Sequence, residues 1–469
     1  MQKLLILLIL CLLALHVHGK VLYVDGSIGN DSVSYAANSA SNPWRSVGRA
    51  VWGSNSNTNT NASEAARAGD TVLVAAGVYN TNGVTNARYI PIYNPANSGT
   101  ASAPITFRGN GNVELRSNQS SGRQPILGTH NRSHIIWDGF VINEAYVPTR
   151  PDTGPVVVWD SDNVTLQNLH VIGQIQTWGD NHNGIRLEYA DNIILRNNRV
   201  EGFYESHGSC ITTYRTGQLL IENNELNDAE DAIFIKGMND GPVTIRNNLV
   251  TNTKNGIMLG QIGLSGQMSY VYQNVILNSA LGGIIFIGYD GSTPAHVTVA
   301  NNTIDGASLS SDGGGILLRP GYNGYRNLIF KNNIVTNSSA GVTIWGTEFN
   351  NNTSATSFSH NNYYNNSRDA WIGYSNYSLN GWSSAFNKDT IGTLTSNPSY
   401  RGANDYRLST SSALINAGLD ILDLDNDGST TDPITMGAYI TGNEIIGRTD
   451  EASPQPQTAV PPSSPQLLN

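Results

Sequence analysis

Short apolar runs, separated by polar turns, recur along the chain at a regular spacing. One sequence pattern is repeated: an aliphatic run, a turn, a second aliphatic run and then two asparagines. The clearest copy joins Gly184–Leu187 to Ile193–Asn198, and another joins Ala232–Ile235 to Val243–Asn248. Apolar and polar side chains alternate within the runs, as they do in a β-strand with one buried face. The pattern therefore predicts many short strands grouped into repeating units.

The length of the repeat narrows the choice of fold. The first inward aliphatic residue of each unit returns every 22 to 32 residues, at Ile185, Ile211, Ile233, Ile257, Ile284, Ile316 and Val342. Leucine-rich repeats have a similar period, but they need a Leu and Asn framework that this chain lacks. Two or three strands per step fit one coil of a solenoid, in which stacking buries the apolar faces. We predict an all-β, single-stranded right-handed parallel β-helix of about ten coils, with parallel strands over residues 105–345.

The paired asparagines fall at the same place in successive units, for example at Asn197–Asn198, Asn223–Asn224 and Asn247–Asn248. Asparagine tolerates the left-handed turn conformation. Stacked asparagine side chains can also hydrogen-bond to one another along a ladder. We therefore assign these residues a structural role.

Composition and charge exclude some classes of protein. Only 13% of residues are charged and 48 are glycine, which suits short strands and polar turns better than helices. The formal net charge of -10 argues against general nucleic-acid binding. An acidic polymer would be repelled at long range, so it would need a local cationic groove or a bound cation.

The two ends of the chain differ from the repeats. Residues 1–19 are typical of a signal peptide, because Lys3 precedes an apolar run, Leu4–Leu15, that is too short to span a bilayer. A membrane anchor is the alternative. Residues 449–469 are rich in Pro, Ser and Gln, which predicts a disordered tail.

Residues 20–448 are expected to form one solenoid domain, with an N-terminal region leading into it and a closing region from Phe358 to Tyr439. Only Cys210 remains after signal cleavage, so an internal disulfide is impossible. We expect a secreted monomer, extracellular or periplasmic, with no membrane span and no nucleic-acid partner.

The beginning and end of the mature chain resemble those of known proteins. The phrases Tyr23–Asp31, Asn42–Arg45 and Gly69–Val72, with Tyr406–Leu408 and Ala413–Gly418 near the end, resemble secreted right-handed β-helix proteins of the polysaccharide-lyase (pectate lyase-like) superfamily. The resemblance covers nearly all of the mature chain. It implies a carbohydrate-active protein, and the superfamily includes lyases, epimerases, glycosidases and non-enzymatic proteins.

Aligned repeats place charged residues on one side of the solenoid. One outward column carries Glu188, Tyr214, Lys236, Gly260 and Arg319, with Trp345 further on. The turns before these strands carry Asp180, His182, Glu205, His207, Asp228, Glu230, Asp231 and Lys254. Each residue alone could be an ordinary turn cap or surface group. Their coincidence in a chain with few charges predicts a functional site.

The phrase Glu230–Gly237 gives this site a chemistry by resemblance. It is similar to an acidic turn that leads into a strand ending in Lys-Gly. In the calcium-dependent uronate lyases of this fold, turn acids bind calcium and an outward Lys or Arg is the base. The resemblance therefore implies Ca²⁺ bound by Asp228, Glu230 and Asp231, with Lys236 as the base.

The remaining roles follow from electrostatics. A free lysine titrates near 10.4, and carboxylates beside it would raise that value, whereas a bound calcium would oppose this effect. If the acids hold no metal, His207 is the better base. Arg319 is the third candidate catalytic residue. The candidate substrate-binding residues are Glu188, Tyr214, His182 and Lys254.

Three functions stay open. The first is a lyase that cleaves an acidic, uronate-containing polysaccharide by β-elimination. The second is a glycoside hydrolase that uses two carboxylates, for example Glu188 and Asp231, about 10 Å apart along the axis. The third is a non-catalytic glycan-binding protein that stacks sugars on aromatic side chains. A separate run, Asp423–Gly428, begins like a calcium loop but lacks the final glutamate and flanking helices.

Overall fold

The strands wind into a right-handed parallel β-helix with three faces. The computed structural model of the 469-residue chain describes residues 19–81, 89–117, 124–144, 153–173, 181–204, 206–288, 294–307, 312–319, 325–345 and 355–449. The predicted signal peptide therefore lies outside the described residues, except for Gly19. Residues 450–469 of the predicted tail also lie outside them, as do Asp180 and Glu205.

One face, here called sheet A, will carry the candidate site. Its strands pair in parallel along the axis. They are Leu127–His130, Val156–Trp159, Asn183–Ala190, Ser209–Thr216, the second parts of Glu225–Ile235 and Leu249–Leu259, Gly282–Phe286, Gly314–Leu318, Val342–Ile344 and Ala370–Ile372. This number of coils is close to the predicted ten.

After each strand of sheet A, the chain forms a strand of sheet B and then a strand of sheet C. Sheet B contains Val21–Val24, the first parts of Thr71–Thr81 and Ile105–Ser117, Ile135–Asp138, Val164–Gln167, Ile193–Arg196, Leu219–Glu222, Val243–Arg246, Ser269–Tyr272, Ala295–Ala300, Arg326–Lys331 and Thr356–Ser359. Sheet C contains the second parts of Thr71–Thr81 and Ile105–Ser117, Val141–Asn143, His170–Ile172, Arg199–Phe203, the first parts of Glu225–Ile235 and Leu249–Leu259, Val275–Leu277, Thr303–Asp305, Ile334–Thr336 and Asn362–Tyr364. The solenoid thus begins earlier and ends later than the predicted range of 105–345.

The predicted core residues stack inside sheet A. Ile185 pairs with Ile211, and Ile211 pairs with Ile233. The series continues through Ile257, Ile284, Ile316 and Val342. All of these side chains are buried. The register predicted from the aliphatic repeat is therefore confirmed.

The two residues of each asparagine pair have different structural roles. The first residue adopts the left-handed conformation, as at Asn197 and Asn223, both with φ of 55°. The second points inward and joins a ladder: Asn198 Nδ2 donates to Asn224 Oδ1 at 2.9 Å. The ladder continues through Asn248, Asn274, Asn302, Asn333 and Asn361. Its members are fully buried, so the structural role predicted for them is confirmed.

Both ends of the solenoid are covered. At the first coil, the backbone N–H of Trp44 donates to Tyr23 at 2.9 Å, and helix α1 (Val47–Trp52) packs nearby. At the last coil, Ser375–Tyr377 pairs antiparallel with Ala370–Ile372. Helix α2 (Leu379–Phe386) follows, capped by Ser378.

The asparagine ladder ends on a carboxylate. Asp389 accepts hydrogen bonds from Asn361, Tyr363, Trp382 and Thr393. Burial raises the pKa of this carboxyl, and the hydrogen bonds oppose that effect. Asp389 therefore satisfies the last amide of the ladder where the repeat stops.

The segment 405–449, here called the C-terminal strap, returns along the outside of the solenoid. It includes the short antiparallel pair Gly418–Leu419 and Pro433–Ile434. At its beginning, the strand Asp405–Leu408 pairs antiparallel with Tyr400–Gly402. The strap bonds to the left-handed asparagines in succession: Asn332, Asn301, Asn247, Asn223 and Asn197. Thr449, predicted to begin the disordered tail, donates its backbone N–H to Asn197 at 2.7 Å and so belongs to the strap.

Within the described part of the chain, no helix has the length and apolarity needed to cross a membrane.

Candidate functional site

The predicted outward column is present on sheet A. Glu188 pairs with Tyr214 in the parallel register. Backbone hydrogen bonds place the following members in order. The column reads Trp159, Glu188, Tyr214, Lys236, Gly260, Ile287, Arg319 and Trp345. The sequence alignment of the repeats was therefore correct, and the structure adds Trp159 at the beginning of the column.

Lys236 points away from the core but is only 7% exposed. Its Nζ donates to Asn181 Oδ1 at 3.1 Å and lies 5.1 Å from the centre of the Phe234 ring. Asn181 in turn donates its backbone N–H to the carbonyl of Ser206 at 3.2 Å. The ammonium group therefore lies across the outer face of sheet A, against a residue bonded to the turn that carries His207.

Asp231 is the most deeply buried acid of the predicted group, at 3% exposed. Its Oδ1 accepts from Asn255 Nδ2 at 2.7 Å and its Oδ2 from Ser209 Oγ at 3.2 Å. Burial, together with the charge of Glu230, raises the pKa of Asp231 to about 6, although the hydrogen bonds and the charge of Lys236 act in the opposite direction. A carboxyl that titrates there can exchange protons under mild conditions.

Glu230 connects two neighbouring turns. Its Oε2 accepts a hydrogen bond from the backbone N–H of His207, and its Oε1 lies 2.5 Å from Lys254 Nζ. Lys254 is exposed, whereas Glu230 is largely covered. His207 is exposed, with Nδ1 3.2 Å from Ser206 Oγ. The structure therefore brings Glu230, His207 and Lys254 together at the edge of sheet A that precedes its strands.

Glu188 is paired with an arginine that sequence reasoning missed. Arg186 Nε donates to Glu188 Oε2 at 3.0 Å, and both residues are buried. The signal was available, because Arg186 lies two residues before Glu188 and so faces outward on the same strand. The pairing neutralises Glu188, which limits its use as a free carboxylate.

His182 does not lie at a surface where it could contact a substrate. It is 1% exposed, and its Nε2 lies 2.7 Å from Oε2 of the fully buried Glu144. Its ring packs 5.1 Å from the ring of Phe203. The predicted substrate contact is thus replaced by a buried pair. Glu144 belongs to an earlier coil, 38 residues away, and no repeat phrase marks it.

Arg319 is separated from Lys236 along the column. Gly260 and Ile287 lie between them, so three coil steps place Arg319 about 14 Å from Lys236 along the axis. Its guanidinium lies 4.0 Å from the centre of the Trp345 ring, and burial lowers its pKa. The structure does not bring Arg319 into one reaction centre with Lys236.

The predicted calcium ligands do not converge either. Among the described residues, the groups of three acids whose oxygens lie within 4.8 Å of one another are Asp420, Asp423 and Asp425, and Asp425, Asp427 and Asp432. Asp228, Glu230 and Asp231 are not such a group. Asp228 is exposed with φ of 54°, whereas the other two bond to different partners. This arrangement does not fit a calcium held by all three.

Comparisons with known proteins agree on the fold. The sequence model of the family described as "NosD: Periplasmic copper-binding protein" matches residues 116–293, less than half of the chain. Pectate lyase Pel9A has a TM-score of 0.56 and 17% identity, over 92% of this chain and 96% of that chain. No curated protein matches the chain.

Two further solved structures are similar with lower scores. The PL6 family polysaccharide lyase Pedsa3628 from Pseudopedobacter saltans has a TM-score of 0.44 and 15% identity, over 75% of this chain and 96% of that chain. The A-module of the mannuronan C-5 epimerase AlgE4 from Azotobacter vinelandii has a TM-score of 0.44 and 11% identity, over 70% and 87%. The chain therefore shares the right-handed parallel β-helix fold of pectate lyase Pel9A.

Proposed function

We propose that this protein is a secreted polysaccharide lyase that cleaves an acidic, uronate-containing polysaccharide by β-elimination. The observation that carries the proposal is a nearly buried amine, that of Lys236, on the outer face of sheet A, together with a buried carboxyl on the same strand, that of Asp231, whose pKa is raised to about 6 and is influenced by the charge of Lys236. Perturbed groups of this kind cluster at functional sites. A pectate lyase of the same fold supports the choice of reaction.

In the proposed reaction, the neutral amine of Lys236 removes the proton on the carbon next to the uronate carboxylate. The electron pair forms a carbon–carbon double bond, and the bond to the glycosidic oxygen breaks. The leaving oxygen takes a proton from solvent. Asp231 is ionised above about pH 6 and then favours a proton on the nearby amine, so proton removal by Lys236 is expected to need alkaline pH.

Calcium stays a prediction in this scheme. Since Asp228, Glu230 and Asp231 do not converge, no step of the reaction is assigned to a metal. His207 is the alternative base, because its side chain is exposed at the same edge and Glu230 holds its backbone N–H. Export by the signal peptide predicted at residues 1–19, and action as a monomer, are parts of the same proposal.

The test is a substrate screen with variants. The wild-type protein, Lys236→Ala and His207→Ala are incubated with polygalacturonate, alginate and chondroitin, with and without a chelator. We expect an ultraviolet-absorbing unsaturated product from the wild type and a loss of at least about 100-fold in Lys236→Ala. Lys331→Ala, which changes a lysine on sheet B, is the matched control and should retain full activity.

Each outcome decides one element of the proposal. Full activity in Lys236→Ala would exclude the lysine as base, and loss in His207→Ala alone would transfer the role. Loss of activity in the presence of the chelator would indicate that the reaction needs a bound metal. No unsaturated product from any acidic polymer would overturn the lyase.

A glycoside hydrolase is the second candidate, favoured by the raised pKa of Asp231. A carboxyl that is neutral in mild acid can protonate a leaving glycosidic oxygen. Glu188 would be the second carboxylate, but it is paired with Arg186. This enzyme would release reducing ends without ultraviolet absorbance, and Asp231→Asn would abolish them. A non-catalytic binder would retain glycans and give neither product.

A further inference from the structure

A row of left-handed residues follows the outward column of sheet A. The φ angles are 54° at Asn131, 47° at Asp160, 50° at Tyr189, 55° at Arg215 and 73° at Gly237. Asparagine, aspartate and glycine suit this conformation, but bulky side chains rarely adopt it because the backbone is strained. Tyr189 and Arg215 therefore occupy positions where backbone preference alone would favour other residues.

These two side chains belong to a row of stacked groups. The ring centres of Tyr89 and Trp159 are 3.9 Å apart, and those of Trp159 and Tyr189 are 5.4 Å apart. Arg215 continues the row, with its guanidinium 5.2 Å from the Tyr189 ring and 5.9 Å from the Tyr214 ring. Its Nη1 also donates to the Tyr189 hydroxyl at 2.9 Å. Aromatic faces and one hydroxyl thus fix the guanidinium.

Arg215 differs in its partners from three arginines of the solenoid that pair with acids. Arg186, Arg108 and Arg246 each pair with a carboxylate within 3.0 Å. Within the described ranges, no acidic side chain forms an ion pair with Arg215. Arg215 is exposed and Tyr189 is 41% exposed. In a chain with a net charge of -10, this is an exposed cation held by two aromatic rings and one hydroxyl.

The row is open and adjoins the candidate site. Only two residues separate Ala190 from Ile193, and two separate Thr216 from Leu219, so the turns here are short. Tyr214, the neighbour of Arg215, is aligned with Lys236 on the next coil, about 4.8 Å away. A sugar chain lying along sheet A beside Lys236 would therefore meet Arg215 next, and then Tyr189 and Trp159.

We propose that Arg215, Tyr189 and Trp159 form a subsite for an acidic sugar. Arg215 binds the carboxylate of a uronate residue through its planar pair of donors, and Tyr189 positions the guanidinium. The exposed ring of Tyr189 contacts the apolar face of the sugar, and the half-buried ring of Trp159 extends this surface. The subsite rests on the proposed function for its place next to a reacting sugar, and it would hold a neighbouring residue of the same polysaccharide.

The strained conformation provides a sharp test. Asparagine suits positive φ, so Tyr189→Asn and Arg215→Asn should fold with thermal stability equal to or above that of the wild type. Binding is measured by affinity electrophoresis and calorimetry with polygalacturonate and alginate, and turnover is prevented with Lys236→Ala. We expect Kd to rise about 10-fold or more in Arg215→Asn and several-fold in Tyr189→Asn. Arg215→Lys keeps the charge but loses the fork, so its loss should be intermediate.

Two controls are matched to these changes. Tyr374→Asn makes the same change at another exposed left-handed tyrosine, with φ of 69°, at the far end of the solenoid. Arg326→Asn removes an exposed positive charge from sheet B. Both should bind as the parent does. Losses in the controls equal to those in Tyr189→Asn and Arg215→Asn would overturn the subsite.

The outcomes separate this proposal from the reaction. An active lyase whose affinity does not change in Arg215→Asn would overturn the subsite and leave the reaction intact. Binding that depends on Arg215, without any unsaturated product, would support the subsite and contradict the lyase. A wild-type protein that binds no acidic polymer would overturn the subsite. Equal retention on a single-stranded nucleic acid would also contradict its uronate assignment.

Discussion

Two sets of buried polar groups in the molecule are built differently: the asparagine ladder inside the solenoid, and a polar cluster on sheet A that contains Arg186, Glu188, Asp231 and Lys236. In the ladder, one residue type repeats, and each amide bonds to the next at 2.9 to 3.0 Å. In the cluster, unlike residues occupy equivalent positions: Glu188, Tyr214 and Lys236 follow one another in one column, and Ser209, Asp231 and Asn255 follow one another in another. Repetition satisfies every member of the ladder, whereas irregularity leaves Asp231 with a perturbed pKa.

This difference separates stability from chemistry along one chain. Groups that repeat with the coil are fully satisfied and contribute to folding. Groups that break the repeat while staying buried are costly to the fold, and such cost is typical of functional sites. Changes in the ladder should therefore reduce stability and spare activity, and changes in the cluster should do the reverse.

The largest effect is expected in the core that underlies both regions. Ile233→Asp would bury an unpaired charge and should lower the free energy of unfolding by more than about 4 kcal/mol. Chemical denaturation or the soluble yield measures it. Ile233→Val, which only removes a methylene, should cost about 1 kcal/mol and remain folded. Similar stability in the two variants would contradict the assigned register.

The ladder is tested next. Asn248→Leu removes the amide that bonds to Asn224 and Asn274 and to the carbonyl of Ile221. Buried groups would lose partners, so we expect a loss of about 2–4 kcal/mol in urea unfolding, with unchanged activity per folded molecule. Asn247→Gly, at the adjacent left-handed position with φ of 55°, is the control and should change stability by well under about 1 kcal/mol. A specific loss of activity in Asn248→Leu would contradict the separation of stability, in the ladder, from chemistry, in the cluster.

A substitution in the polar cluster should raise the stability of the protein, whereas one in the ladder should lower it. The folded-state pKa of Asp231 lies above the ordinary range because of burial, so the fold favours the neutral acid. That contribution is present below about pH 4 and is lost as pH rises through about 6. Asp231→Asn should therefore be more stable than the wild type at pH 7, by at most about 3 kcal/mol, and the two should converge near pH 4.

Thermal unfolding at several pH values measures this difference. Asparagine can keep the bonds to Asn255 and Ser209, so the variant should fold normally. A wild type that gains stability relative to the variant as pH rises would show that Asp231 is held as a favourable anion, and the cluster would then resemble an ordinary ion pair.

The smallest effect is expected in the C-terminal strap. Tyr406→Phe removes one hydrogen bond, from the Tyr406 hydroxyl to Asp305 Oδ2 at 2.8 Å. We expect a loss of about 1 kcal/mol and faster hydrogen exchange in the strap, with unchanged activity. Tyr364→Phe makes the same change on the sheet C strand Asn362–Tyr364 and is the control. Unchanged exchange in the strap would mean that this bond does not hold it.

The sequence predicted those features that the coil repeats. Ile185, Ile211 and Ile233 could be aligned because an aliphatic position returns once per coil, and Lys236 followed from that alignment. Contacts made once could not be found in this way. The pairing of His182 with Glu144 joins residues 38 positions apart, and Thr449 reaches Asn197 across 252 residues.

The motif resemblance did not predict the positions of the three acidic side chains, for a different reason. Asp228, Glu230 and Asp231 are close in sequence and were expected to share one ion, but the left-handed conformation at Asp228 and the burial of Asp231 separate their carboxylates. Arg215 was not singled out, because its role depends on Tyr189, which lies on another coil. Side-chain direction, not spacing, decided both cases.

The covered ends of the solenoid bear on whether one molecule can pair end to end with another. A coil is a template for the next coil, and nothing in parallel pairing itself limits the number that can be added. The antiparallel strand Ser375–Tyr377 and helix α2 close one terminus, and the segment around Trp44 closes the other. Without them, the head of one molecule could pair with the tail of another, a contact that does not close on itself and produces fibres. The short caps therefore cover the two ends at which such a polymer would grow.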